Sequence, residues 1–141
     1  MITNNTFTKT VDLLHRALDA TTIREAVTAN NIANAGVPNF KRSDVNFESE
    51  LKRALQTEKQ KPALELTRTD SRHIPNWQPR DYKDVQVRRV LDYVSTANNN
   101  GNNVNPEYEF NLALENQMRY TLLASAAAFE FGQVNMVLRN V

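Results

Sequence analysis

The side chains capable of chemistry are few and scattered. His15 and His73 are the only histidines, far apart and without the Cys or carboxylate spacing of a metal site. His15 reads as a helix-surface residue and His73 as a partner in a turn hydrogen bond. Ser43, Ser71 and Ser95 lack the Gly-x-Ser-x-Gly setting of a nucleophile elbow, and there is no glycine-rich phosphate loop. Asp81 and Asp84 sit among Arg80 and Lys83, which is the pattern of solvated charge rather than of a general acid–base pair. With no cysteine, thiolate nucleophiles, zinc–thiolate centres and disulfides are excluded. A cysteine-free chain also suits passage into an oxidising compartment without cross-linking. The residues argue against an enzyme, and no cofactor, metal or small-molecule substrate is expected.

Charge excludes a second class. The net charge of the 141 residues is +1, and neutralising nucleic-acid phosphates needs a basic surplus. The best basic pairs, Lys41-Arg42 and Arg88-Arg89, are too few for such a surface, so no nucleic-acid partner is expected. Residues 1–42 carry five Lys/Arg against three Asp/Glu, and residues 100–141 carry two against four. The two ends are therefore mildly complementary, which favours their association without driving it. Hydrophobic residues make up 40% of the chain, below the roughly 45–50% of a compact domain. Such a chain completes its burial against neighbours. The first ten residues are polar, with no apolar segment of a cleaved secretory signal. No apolar run approaches the ~18 residues that mark a membrane-spanning helix.

The elements that position these residues are mostly helical. In the run Val11 to Ala35, Leu13, Ala17, Ala20, Ile23 and Val27 recur at three- and four-residue steps, one apolar face of a helix. Thr8 or Thr10 is placed to cap it. Gly36, in a left-handed conformation, and Pro38 are placed to end it. Asn30 and Asn34 continue the stripe, either as seam amides that fix register at a cost in stability or as solvated side chains near the helix end, the seam being the favoured reading. A second helix starts at Asn105-Pro106-Glu107, with a cap, a proline at the first position and an acid in the first turn. It runs to Arg139. Ala113, Gln117, Tyr120, Ala124, Ala127, Phe131, Val134 and Leu138 step by four and three, a heptad seam. Leu112, Leu114, Leu122, Leu123, Phe129 and Val137 widen the stripe beyond what one partner helix covers. At about 50 Å this helix is longer than a globule of this size is wide, so it protrudes or belongs to an assembly.

The middle differs. Phe47, Leu51 and Leu55, with Glu48 and Glu50 in the first turn, read as a short amphipathic helix. Leu64–Thr67 and Val85–Val87 alternate briefly, as short β strands do. Asn98 to Asn105 reads as an unpacked polar linker. The expected architecture is mainly α: long N- and C-terminal helices form an antiparallel coiled-coil-like hairpin around a small irregular insert. The divisions fall at 1–42, 43–99 and 100–141, the first and last forming one helical domain.

Within Ala29 to Lys41, the residues Asn30, Asn31, Ile32, Ala33 and Asn34 are followed by Pro38, Phe40 and Lys41. This stretch closely resembles the N-terminal motif of the axial family of flagellar rod and hook proteins. Val37 stands where the family usually has threonine or serine, and Asn39 where it has glycine; asparagine is the best non-glycine residue at positive φ. Leu66-Thr67, His73-Ile74, Gly101-Asn102-Asn103-Val104 and Glu115-Asn116-Gln117 with Tyr120 extend the resemblance, which runs from about Leu13 to Leu138. The short insert is similar to that of the B-type proximal rod members, with the C type as nearest rival. Phe7 and Val11 resemble the short element by which early flagellar substrates engage the export gate, though Phe7 equally suits a staple for the first helix.

The resemblance implies a structural subunit of the proximal rod in the basal body, required for motility. It implies export through the flagellar type III apparatus in an unfolded state, without a cleaved signal, and a periplasmic rod location. It also implies assembly through the terminal helices. The implied partners are other rod subunits, copies of this chain in a ring or helix, and the membrane-ring and export-gate end of the basal body. A dimeric coiled-coil adaptor is the rival of a different class, predicting a defined dimer. A small helical enzyme, which needs a polar pocket, is the other.

Overall fold

The computed structural model describes residues 5–59, 69–70, 72–73, 80–95 and 99–139. The elements in chain order are α1 (Asn5–Ala33), β1 (Ser43–Asn46), α2 (Glu48–Lys59), a one-turn 3-10 helix (Tyr82–Asp84), β2 (Arg88–Leu91) and α3 (Pro106–Arg139). The fold is mainly helical, as the periodicity requires. Two compact units are present, one from residues 1–45 and 89–141 and the other from 46–88. Residues 89–95 thus pack with the chain ends, not with the insert to which the sequence reading assigns them.

In the first unit, α1 and α3 lie side by side. Phe7 meets Phe131, Thr21 meets Asn116, and Asn31 meets Glu109. One set of numbers rises as the other falls, so the pair is antiparallel. On α1 the buried residues are Ala20, Thr21, Val27, Thr28 and Asn31, a stripe with helical spacing. On α3 the covered side holds Glu109, Leu112, Asn116, Leu123, Ala127, Glu130 and Val134. Asn105 caps α3 through its side-chain oxygen, which accepts from the backbone N–H groups of Glu107 and Tyr108 at 3.1 and 3.4 Å.

Several local expectations need correcting. α1 begins by Asn5, so Thr8 and Thr10 lie inside the helix; the Thr10 hydroxyl donates to the Thr6 carbonyl at 2.9 Å. Gly36 is not left-handed. Among the described residues the positive φ values belong to Asn39 (60°) and Gly101 (78°). α1 instead ends by tightening: Ala35 N–H bonds to Ile32 O and Val37 N–H to Asn34 O, each three residues back.

In the second unit, α2 packs on the 3-10 turn. Its core is Phe47, Ala54, Tyr82 and Val85, with Arg80 paired to Glu50 at 2.7 Å. Val85 caps the 3-10 turn by donating to Tyr82 O, so the strand begins later, at Arg88, than the expected Val85–Val87. β2 pairs with β1 in a two-stranded sheet. β1 has little strand propensity of its own and no sequence signal. The strand expected at Leu64–Thr67 lies outside the described residues, as do Ser71 and Ile74.

Candidate functional site: a polar clamp between the terminal helices

Asn31 sits where α1 runs out of apolar residues, and it is 1% exposed. Its carboxamide behaves as a peptide group. Nδ2 donates to the Ser43 carbonyl at 2.8 Å while Oδ1 accepts from the Ser43 N–H at 3.0 Å. Nδ2 also donates to Glu109 Oε2 at 3.0 Å. One side chain thus ties α1 to both β1 and the first turn of α3. The amide on the seam is therefore Asn31. Asn30 is exposed, with Arg89 Nη2 3.5 Å from its Oδ1. Asn34 is half-buried and folds back, donating to the Asn30 carbonyl at 2.7 Å.

Glu109 is fully buried. A buried carboxylate requires compensation, and it has two donors: Asn31 on Oε2, and Arg42 Nε on Oε1 at 2.8 Å. The Arg42 side chain is 14% exposed, with Asp92 at 3.8 Å and Asp44 at 4.0 Å from its other nitrogens. Its guanidinium lies 5.5 Å from the centre of the Tyr108 ring. Burial works against the charged guanidinium. The hydrogen bond to Glu109 and the charges of Glu109 and Asp44 outweigh it and hold Arg42 above its ordinary value.

The asparagine segment before α3 completes the clamp. Its sequence reads as an unpacked linker, yet Asn102, Asn103 and Val104 are 0–3% exposed. Asn102 Nδ2 lies within 2.8–3.0 Å of the carbonyls of Asn34, Ala35 and Val37, covering the C-terminal end of α1. Its Oδ1 accepts from Val104 N–H at 2.7 Å. Asn103 Oδ1 accepts from Arg42 N–H at 2.6 Å and its Nδ2 donates to the Asp92 carbonyl at 2.7 Å. Lys41 Nζ donates to the Gly101 carbonyl at 2.8 Å. Composition hides this role, because the same amides that favour solvated turns also satisfy buried backbone when placed against it.

Beside the clamp, a cavity of about 210 Å³ is bounded by Arg24, Val27, Arg42, Ser43, Glu109 and Asn116. Asn116 Nδ2 donates to the Thr21 carbonyl at 2.9 Å; its Oδ1 and the Ser43 hydroxyl are buried without hydrogen-bond partners among the described residues. Among the described residues no group of three or more His, Cys, Asp or Glu could hold a metal.

The remaining predicted residues fall as follows. Ile32, Phe40 and Lys41 are half-buried at the helix end, whereas Ala33 and Pro38 are exposed. On α1, Leu13 and Ala17 are half-buried, and Ala20 and Val27 buried, against α3. On α3 the seam residues divide. Ala113, Ala124, Ala127 and Val134 are half-buried, while Gln117, Tyr120, Phe131 and Leu138 are exposed. Phe7 meets Phe131 edge-on, with ring centres 6.4 Å apart at 87°, and Val11 is half-buried. His15 and His73 are both exposed, and the His73 backbone N–H donates to Asp70 O at 3.2 Å.

Opposite its covered side, α3 presents Phe110, Leu114, Met118, Leu122, Phe129 and Met136, each 50–70% exposed. By length and composition α3 is apolar enough to cross a membrane, contrary to the expectation from uninterrupted runs.

Comparison with known proteins places the clamp in a family setting. The family model described as "Flagella basal body rod protein" matches residues 14–41, a segment that contains Asn31 and stops one residue before Arg42. The chain is 43% identical over 135 residues to the "Flagellar basal body rod protein FlgB" of Borreliella burgdorferi, covering 96% of this chain and 99% of that relative. The protein of the same name from Bacillus subtilis is 30% identical over 134 residues, 94% of this chain and 95% of that relative. That of Escherichia coli is 30% identical over 123 residues, 86% and 87% of the two chains. With identity at these levels over nearly the whole length of both chains, the chain belongs to the family of flagellar basal body rod proteins, which are structural parts.

Proposed function

We propose that this chain is a subunit of the proximal part of the flagellar rod, assembled through its two terminal helices and required for motility. The observation that carries the reading is the second apolar face of α3. One side of the helix is used within the chain; the opposite side exposes Phe110, Leu114, Met118, Leu122, Phe129 and Met136. Apolar side chains on opposite sides of a helix need partners on both. Neighbouring rod subunits, including copies of this chain, supply the second. The chain travels unfolded through the flagellar type III apparatus and docks at the membrane-ring and export-gate end of the rod. The clamp then sets the register of α1 on α3 as the chain folds into place. The relatives' shared name supports the rod reading over a free dimeric adaptor, and favours the B type over the C type.

The test replaces Met118 and Leu122 together by glutamate in a strain lacking the native copy. Both are exposed, so the purified variant should unfold within about 0.5 kcal/mol of the parent. Swimming and recovery of the chain in isolated basal bodies should both be lost. Normal motility with normal incorporation would remove the reading.

A further inference from the structure

Asp92 builds a turn whose backbone is held at many points. Its carboxylate accepts from the N–H groups of Val94 and Ser95, both at 3.1 Å, and from the Ser95 hydroxyl. Its own N–H donates to the Arg42 carbonyl at 3.0 Å, and its carbonyl accepts from Asn103. These hydrogen bonds to Ser95, followed by burial, which opposes them, leave the Asp92 carboxyl below its ordinary range. The turn nevertheless displays exposed apolar side chains. Tyr93 is 72% and Val94 93% exposed, and Val90 and Leu91 just before them are nearly half exposed. An apolar pair on a turn already ordered loses little entropy on contact, which is the advantage of a preorganised docking element. Exposed Arg88 and Arg89 precede it, in no ion pair among the described residues.

A matching surface exists on the same unit. A groove of about 460 Å³ runs between α1 and α3, bounded by Glu25, Phe110, Ala113, Leu114, Gln117 and Tyr120. Its walls are apolar at Phe110, Ala113 and Leu114. Its accessible polar group is the exposed amide of Gln117. Glu25 at its edge is exposed and in no ion pair among the described residues. A tyrosine ring with a phenolic donor, flanked by arginine, meets each feature: ring on apolar wall, O–H on amide, guanidinium on carboxylate.

We propose that Tyr93 and Val94 of one copy dock into the Glu25–Phe110–Gln117 groove of a second copy of this chain. Tyr93 is exposed and so does not occupy the groove of its own molecule. The two surfaces differ, so the contact is heterologous and propagates head to tail, giving a ring or a helix instead of a closed dimer. This rests on the rod-subunit reading and adds to it a specific contact between copies, which uses Phe110 and Leu114 at one end of the outer stripe of α3.

The chain has no cysteine, so introduced thiols are unique. Full-length Val90→Cys and Thr121→Cys chains, which keep Tyr93 and Gln117 and place the thiols beside them at exposed positions, carry different tags and are mixed and treated with a short bismaleimide, in solution and in isolated basal bodies. The expected product is the mixed 90–121 pair. Glu25→Arg should reduce its yield about tenfold, and Arg89→Glu in the partner should restore it. Cross-linking of the Val90→Cys chain to a second Val90→Cys chain would overturn the proposal in favour of a symmetric contact. Cross-linking only to a different basal-body protein would overturn it in favour of another occupant. No cross-link while both variants enter basal bodies would overturn it and leave the rod reading intact. Absence of the unsubstituted chain from basal bodies would instead overturn the rod reading itself.

Discussion

At the scale of single residues, the molecule depends on a few polar side chains placed where apolar ones would be expected. Glu109 is the sharpest case, because Arg42 and Asn31 both direct donors at it. Glu109→Ala would leave a guanidinium and an amide buried without their acceptor. The expected loss is about 3–5 kcal/mol, measured by urea unfolding of the full chain. Replacing Arg42 and Glu109 together by methionine and leucine should recover much of it, since the pair's attraction only offsets its desolvation. The two glycines near the clamp behave oppositely. A Cβ on Gly101, at φ 78°, would stand 2.5 Å from Asn39 Oδ1, whereas one on Gly36 meets nothing within 4 Å. Gly101→Ala should therefore destabilise by at least about 1–2 kcal/mol. Gly36→Ala should be neutral, or stabilising by up to about 1 kcal/mol through the unfolded chain. Thermal unfolding of the two variants side by side checks the contrast. The motif spanning Asn30 to Asn34 is visible in the sequence, but which amide faces inward is not. Asn30, Asn31 and Asn34 differ by rotations about a helix axis that periodicity resolves only coarsely.

At the scale of elements, α1 and α3 are held unevenly along their length. The end carrying Asn31 and Glu109 has the clamp, the covering of the α1 terminus by Asn102 and the capped start of α3. Toward Phe7 and Phe131 the pair has that edge-on ring contact and half-buried Leu13, Leu14, Ala127 and Val134. Long helices with uncovered apolar faces gain little from order until those faces are covered. Amide exchange in the isolated chain should therefore show strong protection around residues 20–31 and 109–116. Protection should fall toward residues 7–13 and 129–138, and rise there on assembly. Uniformly high protection in the monomer would contradict this. The existence and limits of α3 are legible from Asn105-Pro106 and an unbroken run to Arg139. Its covered side is only partly legible. The heptad through Ala113, Gln117 and Tyr120 follows apolar content, yet α1 covers the neighbouring side through Glu109, Leu112 and Asn116. Polar residues there carry no hydrophobic signal to be counted.

At the scale of the whole molecule, the chain ends form one compact unit and residues 46–88 form another. Because β1 pairs with β2, the flanks of that second unit are brought together by the sheet. Replacing residues 47–87 with a two-residue Asn-Gly hairpin turn should therefore leave the first unit folded. Its expected signatures are retained helical circular dichroism and retained exchange protection at Asn31 and Asn116. Collapse of both would show that the insert is needed to fold the ends. What the sequence determined by itself was the class of molecule: two long helices with too much apolar surface for one small chain, no catalytic constellation, and a motif shared with axial proteins. Those properties are one-dimensional, being carried by composition, period and order along the chain. Only the tertiary structure decided that Asn31, Arg42, Asn102, Asn103 and Glu109 meet. The satisfaction of a buried polar group depends on partners up to 95 positions away, and the pairing of donor with acceptor is set by three-dimensional geometry, which leaves no periodic trace in the sequence.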